Sequence, residues 1–254
     1  MPNSQKSTTS NSDVSPINWF ASWFDTPYYH ILYKERNDKE AQVFIDNITH
    51  YLNLPENAKV LDLACGKGRH SIYLNQLGYE VVGADLSENS IIEANKNQNE
   101  KLQFQVHDMR EVFDDKFDAI FNLFTSFGYF ENDEDNLTTL KAMKESLTEY
   151  GFAVIDFMNV NQVIDNLVPD EVKTVEDIDF HIKRYLSDGH IYKEIDFEDK
   201  GQKYHYTEKV KALTLNDFET LMEEAGIYLL DIFGDYKLRK FHKTDSERLI
   251  MIFK

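Results

Sequence analysis

The sequence predicts a three-layer α/β/α sandwich built around a seven-stranded, mostly parallel sheet. Short apolar strands alternate with amphipathic helices over residues 57–159, and the same rhythm returns over residues 213–254. Between these stretches, residues 160–212 carry extended segments and tight turns. Strands that alternate with helices form a parallel sheet covered on both faces, because the crossover helices must lie on those faces.

The first strongly periodic element is a helix that follows an aromatic cluster. Apolar side chains recur at helical spacing between residues 41 and 52. Asn37, with Glu40 three residues later, is typical of a helix start. The aromatic cluster upstream, within residues 19–33, indicates a short helical segment packed on the main domain, with contact to a ligand as the alternative.

Turn residues bound the elements of the α/β region. Gly78 closes one helix, Ser87 caps the next, and Gly151 is expected to stop the longest one. The predicted strands are 59–63, 80–84, 102–106, 117–121 and 152–157, and the predicted helices are 70–77, 87–98 and 133–148.

Hairpin signals dominate the insert. Asp188-Gly189 and Lys200-Gly201 are dipeptides that favour tight turns between antiparallel strands. The strands that they separate are predicted at 178–186, 190–197 and 202–212.

After the insert, Thr214 and Gly226 bound one helix. The last two strands, 227–232 and 249–253, have no helix between them. They should therefore pair antiparallel and make the large sheet mixed.

The predicted organisation has four parts. The first residues are rich in Ser, Thr, Asn and Gln, which is typical of a disordered tail. The parts are a disordered tail at 1–16, an N-terminal helical cap at 17–56, the main domain at 57–159 and 213–254, and an antiparallel β insert at 160–212 that forms a lid or a dimer contact.

Composition excludes several classes of partner. The 254 residues carry 27 basic and 45 acidic side chains, a net charge of −18, which argues against a nucleic-acid surface and against an anionic membrane. Apolar runs are too short for a membrane-spanning helix. The single cysteine, Cys65, excludes an intrachain disulfide, and no His/Cys/Asp spacing suits a metal. The expected protein is cytoplasmic, a monomer or a homodimer, with no metal.

The segment from Val60 to His70 carries the most informative motif. Gly66 and Gly68 lie between a strand and a helix, where backbone can approach a ligand closely and free N–H groups face it. Nineteen residues after Gly66, Asp85 ends the second strand, and a carboxylate there can accept both hydroxyls of a ribose. The pair predicts a ligand that contains adenosine.

Two residues decide which adenosine ligand fits. Ser71 stands where the dinucleotide fingerprint has its third glycine. Asp62 lies at the tip of the first strand, where a carboxylate would repel a pyrophosphate and attract an ammonium group. S-adenosylmethionine, which joins an adenosine to an α-amino acid through a sulfonium, satisfies both observations.

Four motifs in order then resemble the class I S-adenosylmethionine-dependent methyltransferases of the bacterial small-molecule type. They are Asp62-Leu-Ala-Cys-Gly-Lys-Gly-Arg-His70, Gly83-Ala-Asp-Leu-Ser87, His107-Asp-Met-Arg110 and the stretch from Phe117 to Phe130. The resemblance covers about residues 57–158 and 213–254, and it implies a Rossmann-like fold and S-adenosylmethionine as the cofactor. Arg69 departs from the looser family pattern, which has a third glycine at that position.

The resemblance also implies a role for each cofactor-binding residue. Asp62, Ala64, Gly66 and Gly68 would hold the methionine part. Asp85 would hold the ribose hydroxyls and Leu86 would flank the adenine. Asp108 would accept from the adenine amino group, the Met109 N–H would donate to the ring, and Asn122 and Leu123 would lie under the sulfonium.

The substrate side rests on aromatic residues and one histidine. Phe127 and Tyr129 follow the fourth strand and are expected to line the methyl-transfer pocket, with a place in the core as the alternative. Tyr33 is expected in the same pocket. The insert and the cap are expected to close this substrate side of the site and not the adenosine side. His30 is the nearest candidate for a general base, with Tyr129 as a second catalytic candidate. Cys65 is expected to be a buried filler.

The predicted reaction is methyl transfer to a nitrogen or oxygen nucleophile of a small molecule. A nicotinamide-dependent oxidoreductase on a Rossmann fold is one alternative, and a non-catalytic protein that binds S-adenosylmethionine is another. Ser71 and Asp62 argue against the first. Nothing in the residues separates the second from an enzyme.

Overall fold

The computed structural model describes residues 23–34 and 38–254. The tail at 1–16, the first aromatic residues of the cluster and the predicted cap at Asn37 lie outside the described residues. The described chain begins with two helices, α1 at Pro27–Leu32 and α2 at Asp38–Leu52.

Seven strands form the large sheet. Their order across the sheet is β10-β11-β5-β4-β1-β2-β3. Only β11 runs against its two neighbours, β5 and β10, so the prediction of a mostly parallel sheet with an antiparallel last pair is confirmed. The strands are β1 at Lys59–Leu63, β2 at Glu80–Asp85, β3 at Leu102–Val106, β4 at Phe117–Asn122, β5 at Leu147–Met158, β10 at Leu229–Phe233 and β11 at Arg248–Phe253.

Helices cover both faces of this sheet, and an apolar core lies on each face. The helices are α3 at Arg69–Gln76, α4 at Glu88–Ala94, α5 at Asp133–Glu145, α6 at Val160–Asp165 and α7 at Leu215–Ala225. Thr214 caps α7 in a reciprocal pair with Asp217, and Gly226 ends it at a φ of 65°. Both residues had been predicted as the bounds of this helix.

The prediction that the long helix runs to residue 148 and stops at Gly151 is wrong. The helix α5 ends at Glu145, and the chain turns at Ser146. The Ser146 carbonyl accepts a hydrogen bond from Phe117 N, and its hydroxyl accepts one from Phe113 N. Gly151 lies inside β5, where an added Cβ would be 2.7 Å from the Phe117 carbonyl oxygen. Glycine is needed there for close backbone approach, not for stopping a helix.

The insert forms a second, four-stranded antiparallel sheet in the order β6-β7-β8-β9. The strands are β6 at Asp170–Val175, β7 at Ile178–Ser187, β8 at His190–Asp199 and β9 at Gln202–Lys211. Two of the turns are those predicted at Asp188-Gly189 and Lys200-Gly201. The sequence analysis missed β6, because its turn, Glu176-Asp177, reaches positive φ without a glycine.

The inner face of this second sheet packs against the start of the described chain. Phe180, Ile182 and Ile195 are buried together with Trp23 and Leu32. The ring of Trp23 lies 4.5 Å from that of Tyr206 on β9. The N-terminal segment, residues 23–34, is thereby fixed above the carboxyl ends of the parallel strands.

Candidate functional site

A cavity of about 690 Å³ opens where the parallel strands end. Its floor and one wall come from the loops that follow β1, β2, β3 and β4. Its roof comes from the N-terminal segment and from one residue of the insert, Glu208. Ligands of open parallel sheets bind at this end, because the loops there converge.

The two glycines of the turn after β1 have different roles. Ala64 and Gly66 adopt positive φ of 64° and 55° and line the cavity. An added Cβ at Gly66 would meet nothing within 4 Å, so this glycine serves the backbone path of the turn. An added Cβ at Gly68 would lie 2.4 Å from the Phe104 ring. Gly68 therefore makes room for core packing and, against its predicted place, does not line the cavity.

Asp62 is the deepest acid in the cavity wall. Its side chain accepts a 2.5 Å hydrogen bond from Ser71 Oγ, on the helix that follows the turn. Burial raises the pKa of Asp62 to about 6, and the nearby charge of Asp85 acts in the same direction. A cationic group placed beside Asp62 would relieve this penalty, because an opposite charge favours the ionised form.

Asp85 ends β2 on the opposite side of the turn. Its carboxylate accepts from Gly66 N at 2.8 Å and from Ser87 N at 2.9 Å, one bond on each oxygen. Burial raises the pKa of Asp85, while the two backbone bonds oppose that shift. Each oxygen retains a second lone pair, so a diol could still bind this fixed carboxylate.

Asp108 lies after β3 and is held by Arg110. The guanidinium donates to both carboxylate oxygens and also contacts Asp135 at 3.2 Å. The hydrogen bonds from Arg110 lower the pKa of Asp108, so this acceptor stays ionised. Met109 and Leu86 line the same end of the cavity and supply apolar surface there.

Only some of the residues predicted at the end of β4 and in the loop after it line the cavity. Leu123 lines the cavity. Asn122 is fully buried beneath it, where its amide donates to the Leu63 carbonyl and its Oδ1 has no hydrogen-bond partner among the described residues. Phe127 is also fully buried, with its ring 5.5 Å from that of Phe218. The pocket role predicted for Phe127 is wrong, and its core alternative holds.

Two strained residues follow Leu123, and a buried ion pair holds them. Phe124 and Thr125 have φ of 58° and 62°, which residues with a Cβ seldom adopt. The Asp156 carboxylate accepts from Phe124 N at 2.8 Å and from Arg248 Nε at 2.8 Å. Arg248 also donates to Thr125 Oγ1. Both strained residues line the cavity, so the ion pair fixes part of its wall.

Aromatic rings close the cavity above the β4 loop. The cavity is lined there by Tyr29 and His30 of α1 and by Tyr33, the residue that follows α1. Tyr129 faces them from the other side. The Phe24 ring contacts those of Tyr29 and Tyr129 edge to face, at 5.0 and 5.6 Å. The structure thus brings together His30, Tyr33 and Tyr129, the three roof and pocket residues predicted along with Phe127.

The N-terminal segment also reaches the loop after β2, on the side where the adenosine was predicted to lie and that the cap was not expected to cover. Asp25 accepts hydrogen bonds from Ser87 Oγ and from Asn89 Nδ2. Ser87 lies two residues after Asp85, at the start of α4. The segment therefore crosses the cavity from the insert to the loop after β2.

Glu208 lines the cavity although it was not predicted from the sequence. It lies on the same face of β9 as Tyr204 and Tyr206, because every second residue of a strand shares one face. An acid beside these two rings was the available signal.

None of the helices in the described residues is long and apolar enough to cross a membrane. The same residues hold no group of three or more His, Cys, Asp or Glu side chains suited to a metal ion. Burial raises the pKa of the Cys65 thiol, which suits a filler and not a nucleophile.

Comparison with known proteins identifies the chemistry of this cavity. Residues 60–151 match the family model described as a methyltransferase domain. The chain is 28% identical over 207 residues to the methyltransferase-family protein YqeM of Bacillus subtilis, across 77% of this chain and 81% of that protein. The chain carries an S-adenosylmethionine-dependent methyltransferase domain. This methyltransferase is also 26% identical over 234 residues to a glycine/sarcosine N-methyltransferase of Aphanothece halophytica, across 86% and 83% of the two chains.

A solved structure shows the same fold. A methyltransferase from Clostridium acetobutylicum superposes with a TM-score of 0.76 at 22% identity, across 93% of this chain and 98% of that one. The cofactor is S-adenosylmethionine, and the donor set of the cavity fits it. Buried carboxylates at two strand ends suit an ammonium group and a ribose diol, whereas a pyrophosphate would be repelled. The comparisons and this set of carboxylates both argue against a nicotinamide-dependent oxidoreductase.

Proposed function

We propose that the enzyme transfers a methyl group from S-adenosylmethionine to the amine nitrogen of a small molecule. The observation that carries the proposal is a cavity that joins the three carboxylates Asp62, Asp85 and Asp108 to a chamber with aromatic walls. The similarity to enzymes named as glycine/sarcosine N-methyltransferases supports nitrogen as the acceptor.

We assign the cofactor-binding side chains by their chemistry. Asp62 pairs with the ammonium group of the methionine part, beside the backbone of Ala64 and Gly66. Asp85 accepts from the ribose hydroxyls. Asp108 accepts from the adenine amino group, with Leu86 and Met109 against the ring faces. Leu123, which lines the cavity, would lie under the sulfonium.

The cofactor supplies an electrophilic methyl carbon on a sulfonium. The protein's task is then to place a nucleophile in line with that carbon and to exclude water. A neutral amine presents its lone pair and needs no base in the transfer step, so an amine that binds as the ammonium ion first releases one proton to solvent. A hydroxyl would need a base, and His30 in the chamber wall is the residue that could serve an oxygen acceptor.

The test is a methyltransfer assay that measures S-adenosylhomocysteine formation. Glycine, sarcosine, alkyl amines and amino sugars are each compared with the analogue in which hydroxyl replaces the amine. We expect turnover only with amines, and mass spectrometry should locate the added 14 Da on nitrogen, as one CH₂ unit requires. Turnover confined to the hydroxyl analogues would overturn the nitrogen assignment. Binding of the cofactor without turnover of any compound would support the non-catalytic alternative.

A further inference from the structure

We infer that Glu208 binds the substrate amine in its protonated, cationic form. The inference rests on the proposed function, because it names the group that recognises the amine. Four features carry it: the position of Glu208 on the insert, the orientation of its carboxylate, the rings around it, and its opening into the cavity.

Glu208 forms a charged pair with Lys193 on the inner face of the insert sheet, where Arg184 of β7 lies opposite Lys193. Glu208 lies directly opposite Lys193 in the register of β8 and β9. The next inward pair is Ile195 with Tyr206. The Glu208 and Lys193 side chains are only 17% and 14% exposed. A carboxylate at such a position loses much of its hydration and needs compensating partners.

The partners of Glu208 fix one carboxylate oxygen and leave the other open. Oε1 accepts from Tyr33 Oη at 2.6 Å and from Trp23 Nε1 at 2.8 Å. Oε2 receives no hydrogen bond from the described residues, and Lys193 Nζ lies 3.8 Å from it. Two donors on one oxygen orient the whole carboxylate before a ligand arrives. The Lys193 ammonium is thus at ion-pair distance from the open oxygen.

The surroundings of this carboxylate suit an organic cation. Tyr33 already contacts one cation, because Lys193 Nζ donates to its hydroxyl and lies 4.4 Å from its ring centroid. Tyr29 contacts the Tyr33 ring at 4.9 Å, and both line the cavity with Phe24 and Tyr129. Aromatic faces attract ammonium groups, and a carboxylate among them adds a charged hydrogen-bond acceptor. The neutral hydroxyl analogue of an amine lacks both attractions.

Glu208 is also placed to act on the substrate and not on the cofactor. It comes from the insert, and its contacts are with Trp23, Tyr33 and Lys193. The proposed cofactor ligands lie at the ends of β1 and β2 and on the loop after β3. Removing the charge of Glu208 should therefore weaken amine binding and leave cofactor affinity unchanged.

The test uses equilibrium binding to the full chain saturated with S-adenosylhomocysteine, so that turnover is not required. The probes are benzylamine, which is cationic at neutral pH, and benzyl alcohol, its neutral counterpart. The variants are Glu208→Gln, which keeps the acceptor for Tyr33 and Trp23, and Glu198→Gln, a matched control on the exposed face of β8. Calorimetry measures both probes and the affinity for S-adenosylhomocysteine.

We expect the wild type and Glu198→Gln to bind benzylamine at least tenfold more tightly than benzyl alcohol. Glu208→Gln should lose roughly tenfold or more of its benzylamine affinity, as expected for a hydrogen bond to a charged group. Its affinity for S-adenosylhomocysteine should not change. Equal binding of the two probes, binding of neither, or an unchanged Glu208→Gln variant would overturn the role of Glu208.

These results are separable from the fate of the proposed function. If methyl transfer occurs only to oxygen, the nitrogen assignment fails whatever the calorimetry shows. If amines are methylated but Glu208→Gln binds benzylamine as well as the wild type does, only the role of Glu208 fails. For a methylated amine, Glu208→Gln should raise KM more than it lowers kcat.

Discussion

Replacing Gly68 with alanine should destabilise the fold far more than the same change at Gly66. Both glycines have positive φ, 79° and 55°, so an alanine is strained at either position. That strain is worth about 1–2 kcal/mol at each site. At Gly68 the new methyl group would also lie 2.4 Å from the Phe104 ring and 3.2 Å from Ala94 Cβ. Overpacking of a core costs about 1–3 kcal/mol more.

The expected loss in the free energy of unfolding is therefore about 2–5 kcal/mol for Gly68→Ala and about 1–2 kcal/mol for Gly66→Ala. Urea unfolding followed by circular dichroism measures both values. The order reverses for cofactor affinity, because Gly66 lines the cavity and its N–H holds Asp85, whereas Gly68 does neither.

A smaller side chain at the contacted position gives the control. Phe104→Leu removes the ring edge that an alanine at 68 would strike, so the double variant should lose less stability than the sum of the two single changes. Equal destabilisation by Gly66→Ala and Gly68→Ala would refute the assignment of Gly68 to packing. So would a large loss of S-adenosylmethionine affinity in a folded Gly68→Ala protein.

Three further results are expected. Asp85→Ala should weaken S-adenosylmethionine binding roughly tenfold or more in calorimetry, because a charged acceptor for two hydroxyls is lost; unchanged affinity in a folded variant would remove Asp85 from the site. S-adenosylmethionine affinity should rise as the pH increases through about 6 and then level, because Asp62 must ionise to pair with an ammonium group. Asp62→Asn should remove most of this pH dependence. An identical pH profile in that variant would contradict the pairing. Arg248→Gln should lose about 3–5 kcal/mol of unfolding free energy, because Asp156 is left buried and unpaired. The double variant with Asp156→Asn should recover part of that loss. If the losses of the two single variants simply add in the double variant, Arg248 and Asp156 are not coupled.

The sheet and its order of elements could be predicted because they follow from local signals. Apolar strands, glycine ends and caps such as Thr214 and Ser87 act within a few residues, and the structure confirms them. The errors arose where backbone that is distant in the sequence determines the local structure. Gly151 reads as a helix stop, but the Phe117 carbonyl beside it explains the glycine. The strand β6 was missed because Glu176-Asp177 makes a turn without glycine.

The site shows the same division. The acids at strand ends could be placed from the sequence, since a strand end fixes where its last side chain lies. Phe127 could not, because whether a ring after β4 turns to the cavity or to the core depends on Phe218, about ninety residues later. Glu208 depends on the register of two insert strands and on their packing against Trp23 and Tyr33. No local pattern contains that information.

The path of the N-terminal segment has a consequence for the order of events in turnover. Trp23 joins the segment to the insert, and Asp25, two residues later, joins it to Ser87 beside Asp85. A movement of this segment that opens the amine chamber therefore also disturbs the contacts next to the ribose site. Entry of the acceptor and exchange of the spent cofactor are then linked steps. Steady-state kinetics should show a compulsory order, with S-adenosylmethionine bound first and S-adenosylhomocysteine released last.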